Sequence, residues 1–338
     1  MRPEYPYEAP ENGEAIEIAE NLFWARLPLP MALDHINIYW FVDEDGVTII
    51  DTALNVPFIK EMWEKLIAKY IAPRPIKRVL LTHYHPDHSG LVGWFIREHG
   101  AELWTSRMTY LLTRMLLLDV QERPSVHHAR HWARVGYDQG WIEAKMNKRP
   151  FNFIDSVEMF PLGFRSIAEG ETLTLGGREW FVRFGQGHAP DHVTLWNDEF
   201  VLIGDQCLPA ITPVISVFPT EPNADPLREF TTVCEHMADV ASDAQLFLCG
   251  HNRPFYGGKS RLLYLANHHH ETLAALRVAL KEPKTMIETY GILFRRPITL
   301  HNEGFAISEA AAHFNHLEQL GEIAPLVGKD GLTRWQLR

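Results

Sequence analysis

The chain has 338 residues, 46% of them apolar and 22% charged, the composition of a soluble globular protein with an ample core. Its formal net charge of −11 argues against nucleic acid and anionic membranes, both of which need a basic surface. Three cysteines (Cys207, Cys234 and Cys249) without C-x-x-C spacing give no disulfide framework, and a reducing compartment, the cytoplasm, is expected. The first twenty residues carry six glutamates and no apolar secretory core, and no run of eighteen apolar residues offers a membrane span.

In chain order, residues 1–20 read as an irregular arm rich in Pro and Glu. Strands are predicted over Leu22–Leu27, Ile36–Val42 and Val47–Ile50, the last two joined by an acidic turn at Asp43–Gly46. Pro57–Tyr70 has helical periodicity, with Phe58, Ile59, Met62, Trp63, Leu66 and Ile67 on one face. The strand Ile76–Leu81 then runs into His83-Tyr84-His85-Pro86-Asp87-His88-Ser89-Gly90, a tight loop in which Pro86 argues against a regular helix. His83 and His85 can point the same way from an extended segment, and Asp87 and His88 can face a second, nearby ion. Imidazole and carboxylate suit zinc and its first-row neighbours.

A helix over Leu91–His99 and a short strand at Ala101–Trp104 follow. Residues 106–165 read as a helical insertion, with helices over Met108–Leu118 and Trp132–Met146; the histidines at 127, 128 and 131 between them are taken as solvated or core-edge. Strands resume at Glu171–Leu175, a Gly176-Gly177 turn, and Glu179–Phe184. Three more strand ends carry His or Asp: Gly187-His188 with His192 beyond it, Gly204-Asp205, and Gly250-His251. Beyond Pro254 come a helix over Ser260–Leu280, in which His268-His269-His270 is read as surface, and a helix over Ile307–Leu320 capped by Ser308 and stopped by Gly321. A small hairpin around Lys329-Asp330-Gly331 ends the chain. The expected division is 1–255 for the metal-bearing domain and 256–338 for a helical tail.

The series His83-x-His85-x-Asp87-His88, Gly187-His188, Gly204-Asp205 and Gly250-His251, with Asp51 ending an early strand, resembles the metallo-β-lactamase superfamily over about residues 20–255. The resemblance implies an α/β fold, an αββα sandwich with its metal site along one edge of two sheets, here with the helical insertion and a winged-helix-like C-terminal domain. It implies two divalent ions, Zn first with Mn and Fe as alternatives: His83, His85 and His188 on one, Asp87, His88 and His251 on the other, Asp205 bridging, and Asp51 orienting ligand histidines. The His88 position sets the chain apart from the true β-lactamases and makes it similar to the glyoxalase II, lactonase and thioesterase group. The Gly-His-x-x-Asp-His segment and the tail are similar to a branch that includes a mitochondrial single-stranded RNA endonuclease.

The implied activity is hydrolysis of a carboxylic ester, thioester or lactone by a hydroxide bridging the ions, with Asp87 directing the nucleophile. Its rivals are a phosphodiesterase or nuclease, an iron-dependent persulfide dioxygenase, and a metal-containing ligand-binding or regulatory module. His35 and Tyr84 are candidate substrate contacts, and the insertion, rich in Trp, Leu and Met, is expected to cover the metal edge with an apolar pocket. The expected partner is a small-molecule substrate, not nucleic acid or membrane, and a homo-oligomer is compatible with the sequence.

Overall fold

Strands dense in β-branched and aromatic residues bury both faces when two sheets stack and helices cover the outside. The computed structural model, which describes residues 3–31, 33–300 and 302–338, has this architecture, an α/β sandwich of the αββα class. Two compact units are interleaved along the chain: Met1–Val120 with Phe151–Pro213 and Ala238–Arg261, and Gln121–Pro150 with Val214–Met237 and Leu262–Arg338.

In the first unit, one sheet runs in sequence order: β1 (Ala15–Ala19), β2 (Leu22–Pro28), β3 (His35–Asp43), β4 (Gly46–Ile50), β5 (Ile76–Leu80), β6 (Glu102–Ser106) and β7 (Arg165–Ile167). β1 to β4 pair antiparallel, β4 to β7 parallel. The second sheet has β8 (Thr172–Leu175), β9 (Arg178–Gly185), β10 (His192–Trp196), β11 (Phe200–Gly204) and β12 (Leu246–Cys249), antiparallel except for the β11/β12 pair. Between the sheets lie Trp24, Phe41, Ile50 and Leu80 from the first and Trp180, Val193, Leu202 and Leu248 from the second. The outer face of the first sheet is closed by α1 (Pro57–Leu66), α2 (Pro86–Ser89), α3 (Val92–His99) and α4 (Arg107–Leu118), with Trp63, Phe95 and Leu117 in that core.

The parallel pairs position the functional loops. Ile50 pairs with Leu80 and Gly204 with Cys249, so the chain leaves each pair at one end of its sheet with the next side chains adjacent. The sheets are tied together there, since Val193 N donates to Thr82 O at 2.8 Å and Asn37 N to Gly250 O at 2.7 Å.

The second unit contains α5 (Val126–Val135), α6 (Gln139–Met146), most of α7 (Pro226–Val240) and α8 (Gly258–Ala279), α9 (Tyr290–Leu293) and α10 (Glu303–Gln319). A closing hairpin pairs β13 (Ile323–Val327) with β14 (Thr333–Leu337). The helix α10 is its centre, buried along Ala306, Ala310, Ala311, Phe314 and Leu317. Arg134 lies over the Trp335 ring and bonds Asn315 and Glu318, fastening α5 to α10 and the hairpin.

Several local expectations are corrected. The N-terminal arm contains β1, because Ile16 and Ile18 alternate with polar residues and β2 offers a free edge; Met1 and Arg2 of that arm lie outside the described residues. Pro86 starts a helical turn instead of preventing one, since a first-turn residue needs no N–H partner. The histidine stretch 126–131 is helical, and the helix expected over 132–146 is two, α5 and α6, because Gly136 turns left-handed at φ 113°. Ser308 lies inside α10, which starts four residues earlier than expected. His269 is buried instead of surface-exposed: its ring packs edge-on to Phe230, its Nδ1 lies 3.3 Å from His313 Nε2, and burial holds its pKa well below the usual histidine range.

The loop after β5 is locked to the loop after β4 at Gly90, where a Cβ would lie 2.4 Å from Ala53 O and 2.6 Å from Asn55 N. Gly90→Ala should therefore destabilise the protein by about 2 kcal/mol, the usual cost of overpacking. Urea denaturation reads this directly, and an unshifted midpoint would mean that the two loops separate freely.

Candidate metal centre

Five strand ends of the first unit converge here. β4 delivers Asp51, β5 delivers His83, His85, Asp87 and His88 through its loop and α2, β9 delivers His188, β11 Asp205 and β12 His251. All are buried except His85 and Asp87, which are partly exposed.

The chain bends sharply to present them. Asp51 has φ 60° and Gly204 has φ 52°, both in the left-handed region. At Gly204 a Cβ would sit 2.5 Å from His192 Cε1, and at Gly250 one would sit 2.2 Å from Asp205 Oδ1. Neither glycine can be replaced without moving a site side chain.

Three sets of side chains bring their donor atoms within 4.8 Å of one another: His83, His85 and His188; His83, His88 and Asp205; and Asp87, His88 and His251. His83 Nε2 lies 2.9 Å from His85 Nδ1 and 3.3 Å from His188 Nε2. Asp205 Oδ2 stands among the sets, 3.8 Å from His188 Nε2, 3.5 Å from His88 Nε2 and 3.2 Å from His251 Nε2. Asp87 Oδ2 is 3.3 Å from His251 Nε2 and 3.9 Å from His88 Nε2.

Three of the imidazoles are aimed by what their other nitrogen does. His88 Nδ1 donates to Asp51 Oδ2 at 2.7 Å, and His251 Nδ1 donates to His35 O at 2.7 Å. Thr82 Oγ1 donates to Asp51 and can then accept from His83 Nδ1 at 3.0 Å. With Nδ1–H used outward, Nε2 of His83, His88 and His251 points into the cluster, the orientation that a metal ligand requires.

Among the described residues, His88 Nε2 and Asp205 Oδ1 are buried without a hydrogen-bond partner, and a buried polar atom needs one. Electropositive ions of the zinc type fit this donor set of imidazoles and carboxylates.

The electrostatics divide the cluster. Burial, reinforced by surrounding histidines, holds His83 well below the usual histidine range, and burial with His188 beside it does the same for His85. Burial also opposes charge on His88 and His251, but carboxylates outweigh it: Asp205, Asp51 and Asp87 raise His88 well above the usual range, and Asp205 and Asp87 push His251 up to about 10. Burial raises Asp87 while His88 and His251 more than reverse it, to about 2. One side is thus neutral imidazole, and the other holds two carboxylates that attract positive charge.

Asp51 lies outside the three sets and contacts the cluster through Thr82 and His88. Its remaining acceptor capacity is spent on Thr82 N at 2.8 Å. His35 is engaged on both ring nitrogens, by Asp34 Oδ1 at 2.6 Å and by Asn252 N at 2.7 Å, and it holds His251 through its backbone carbonyl. Tyr84 is buried, its ring 4.5 Å from His85 and 6.1 Å from Phe153. Cys207 is buried, and desolvation pushes its thiol up to about 12, which leaves it inert.

His192 had no role assigned from sequence. Its ring stacks on His83 at 4.5 Å and its Nε2 accepts Asp205 N at 3.2 Å, so it backs two members of the cluster at once. The second His in the strand-end segment Gly187–His192 was its only signal. Asn37 was also missed: it accepts Trp24 Nε1 and donates to Cys249 O and Asn252 O, pinning the His251 loop to β3. A lone polar residue between Ile36 and Ile38 was the readable clue.

Asp51→Asn removes one of two carboxylate oxygens from a shared three-donor bond set, so metal affinity should fall about 10- to 100-fold. Competition with a chromophoric chelator measures it. Since His88 and His251 carry protons at neutral pH when no cation is bound, loading should release protons and apparent affinity should rise with pH up to about 10. Indicator-dye titration in weak buffer checks the release; a pH-independent affinity would contradict the assignment of these two rings.

Comparison with known proteins shows the family. The Metallo-beta-lactamase superfamily pattern matches residues 32–232, and that of the Metallo-beta-lactamase-like C-terminal domain matches residues 273–338. The chain is 31% identical to a beta-lactamase domain protein from Burkholderia ambifaria of known structure, covering 99% of this chain and 98% of that one with a TM-score of 0.89. It is 25% identical to the probable metallo-hydrolase YqjP of Bacillus subtilis (strain 168), over 88% of this chain and 92% of the relative. A linear primary-alkylsulfatase from Pseudomonas sp. (strain ATCC 19151) is 26% identical over 54% of this chain and 34% of its own length.

Proposed function

The chain belongs to the metallo-beta-lactamase superfamily and is a metal-dependent hydrolase, and from that premise we propose that it cleaves a carboxylic ester, thioester or lactone bearing an apolar group. One observation carries the choice of substrate: an uncharged aromatic run, Tyr84 to Phe153 at 6.1 Å and Phe153 to Phe151 at 6.5 Å, leads from His85 to solvent, with Phe151 63% exposed. A net charge of −11 disfavours a polyanionic substrate such as RNA.

In this reading His83, His85 and His188 would hold one divalent cation and Asp87, His88 and His251 another, with Asp205 within reach of both; zinc suits the donors best. Bound there, the cations would supply Lewis acidity and a lowered pKa for water. The protein's own groups do the rest. Asp87, with 17% of its side chain exposed against 7% for Asp205, is the carboxylate that solvent reaches. It accepts a hydrogen bond from the attacking water and fixes its direction toward the acyl carbon. Thr82, Asp51 and His192 keep the imidazoles from turning, and Tyr84 and Phe153 exclude water on the side where the acyl group lies. The three buried free cysteines are in keeping with a cytoplasmic setting.

A second reading, hydrolysis of an alkyl sulfate ester, is favoured by the alkylsulfatase match, which an apolar tail on the substrate would equally satisfy.

The test is a set of initial rates on an acyl thioester, a lactone, an aryl ester, an alkyl sulfate, a β-lactam and a bis-aryl phosphodiester, with metal-loaded and chelated protein. Chelator-sensitive turnover of one of the first three is expected. Preference for the sulfate or the phosphodiester would replace this reading with the alkylsulfatase or nuclease one. At saturating metal, Asp87→Asn should lower kcat by about 10²- to 10⁴-fold with little change in KM, as loss of a proton acceptor predicts.

A further inference from the structure

The helix α4 is apolar on two faces. Thr109, Tyr110, Thr113 and Leu117 face the core of the first unit, whereas Met108, Leu111, Met115 and Leu118 recur every three to four residues on the opposite side. Those four are 45%, 53%, 45% and 64% exposed. A helix apolar on two faces has both covered in a folded assembly more often than one left to water.

The stripe is widened by the segment alongside it. Tyr110 donates to Pro161 O and Leu162 O, and Arg114 to Phe160 O, which lays residues 159–162 against the helix. Met159 and Leu162 add two more exposed apolar side chains.

We propose that this face joins two copies of the chain in a two-fold dimer, α4 packed antiparallel on α4. Two observations select a second copy as the occupant. The first is area: the six side chains expose on the order of 600 Å² of apolar surface, while one side of a standard interface buries about 800 Å², of which about 65% is apolar in homodimers. The stripe thus supplies the apolar part of one complete side.

The second is charge. The helix begins with exposed Arg107 and ends at exposed Asp119, with the negative end of its dipole beside that aspartate. Antiparallel pairing sets Arg107 of each copy against the acidic end of the other, so the surface complements itself under two-fold rotation. An anionic lipid surface would meet a chain of charge −11 and be repelled.

Sedimentation equilibrium of the full-length chain at micromolar concentration should give twice 38.9 kDa. Leu111→Glu with Met115→Glu should weaken the dimer at least about 100-fold, the cost of burying unpaired charge, while far-UV circular dichroism stays unchanged. Val278→Glu, at an apolar position 66% exposed on α8, should leave the dimer intact and serves as the control. A wild-type monomer, or a dimer that survives the double substitution, overturns the proposal. A monomer that floats with neutral phosphatidylcholine vesicles, and stops doing so on double substitution, overturns it in favour of lipid.

Discussion

The carboxylate of Asp51 is the constraint on which the metal centre depends. It sits at a left-handed backbone position at the end of β4 and accepts from Thr82 N, Thr82 Oγ1 and His88 Nδ1. Those bonds fix both ends of the loop that carries four of the seven candidate ligands. The parallel pairing of β4 with β5 makes this possible, because only adjacent strand ends bring residue 51 beside residue 82. A buried carboxylate is costly unless its lone pairs are satisfied. Here they are satisfied by the groups that must be held still, so the cost of burying it becomes orientation of the ligands.

The other sheet repeats the device with different chemistry. Gly250 N bonds Gly204 O, which places Asp205 and His251 side by side, and both glycines lack the Cβ that would strike a neighbouring site residue. Asn37 and Tyr39, from the first sheet, hold Cys249 O and so fix the approach to His251. The bond from Val193 to Thr82 closes the circuit. Moving one ligand therefore means breaking a backbone contact between sheets, which is how a site assembled from five separate strand ends stays rigid.

The metal-bearing elements were legible in the sequence because each is a short apolar run ending in Gly, His or Asp. The strand pattern reports the element, and the ligand-type residue reports which end matters. What failed was set by tertiary context. His269 looked solvated because consecutive histidines spread around a helix, yet one of three must face inward, and Phe230 and His313 receive it. His192 closes the Gly-His-x-x-Asp-His segment without a role that the segment itself declares, Asn37 belongs to no motif, and both roles exist only once two sheets are stacked. The single insertion read over 106–165 is divided in the structure, with residues 121–150 in the second unit and its flanks in the first, because α4 and Phe153 pack on the sheet core. Periodicity shows that a helix has a buried face but not which core receives it.

The asymmetry of the cluster has a chemical consequence. The imidazoles of His83 and His85 are held neutral, whereas Asp87 and Asp205 face His88 and His251, whose raised pKa values keep them protonated while no cation stands there. A cation on the carboxylate side would have to displace those protons, so its hold would strengthen as pH rises, while His83 and His85 have no proton to lose. Asp87, the more exposed of the two carboxylates, stands on the proton-coupled side next to the solvent edge. The group best placed to direct a nucleophile is thereby tied to the pH-sensitive half of the cluster, and the neutral half lies beside Tyr84 and Phe153.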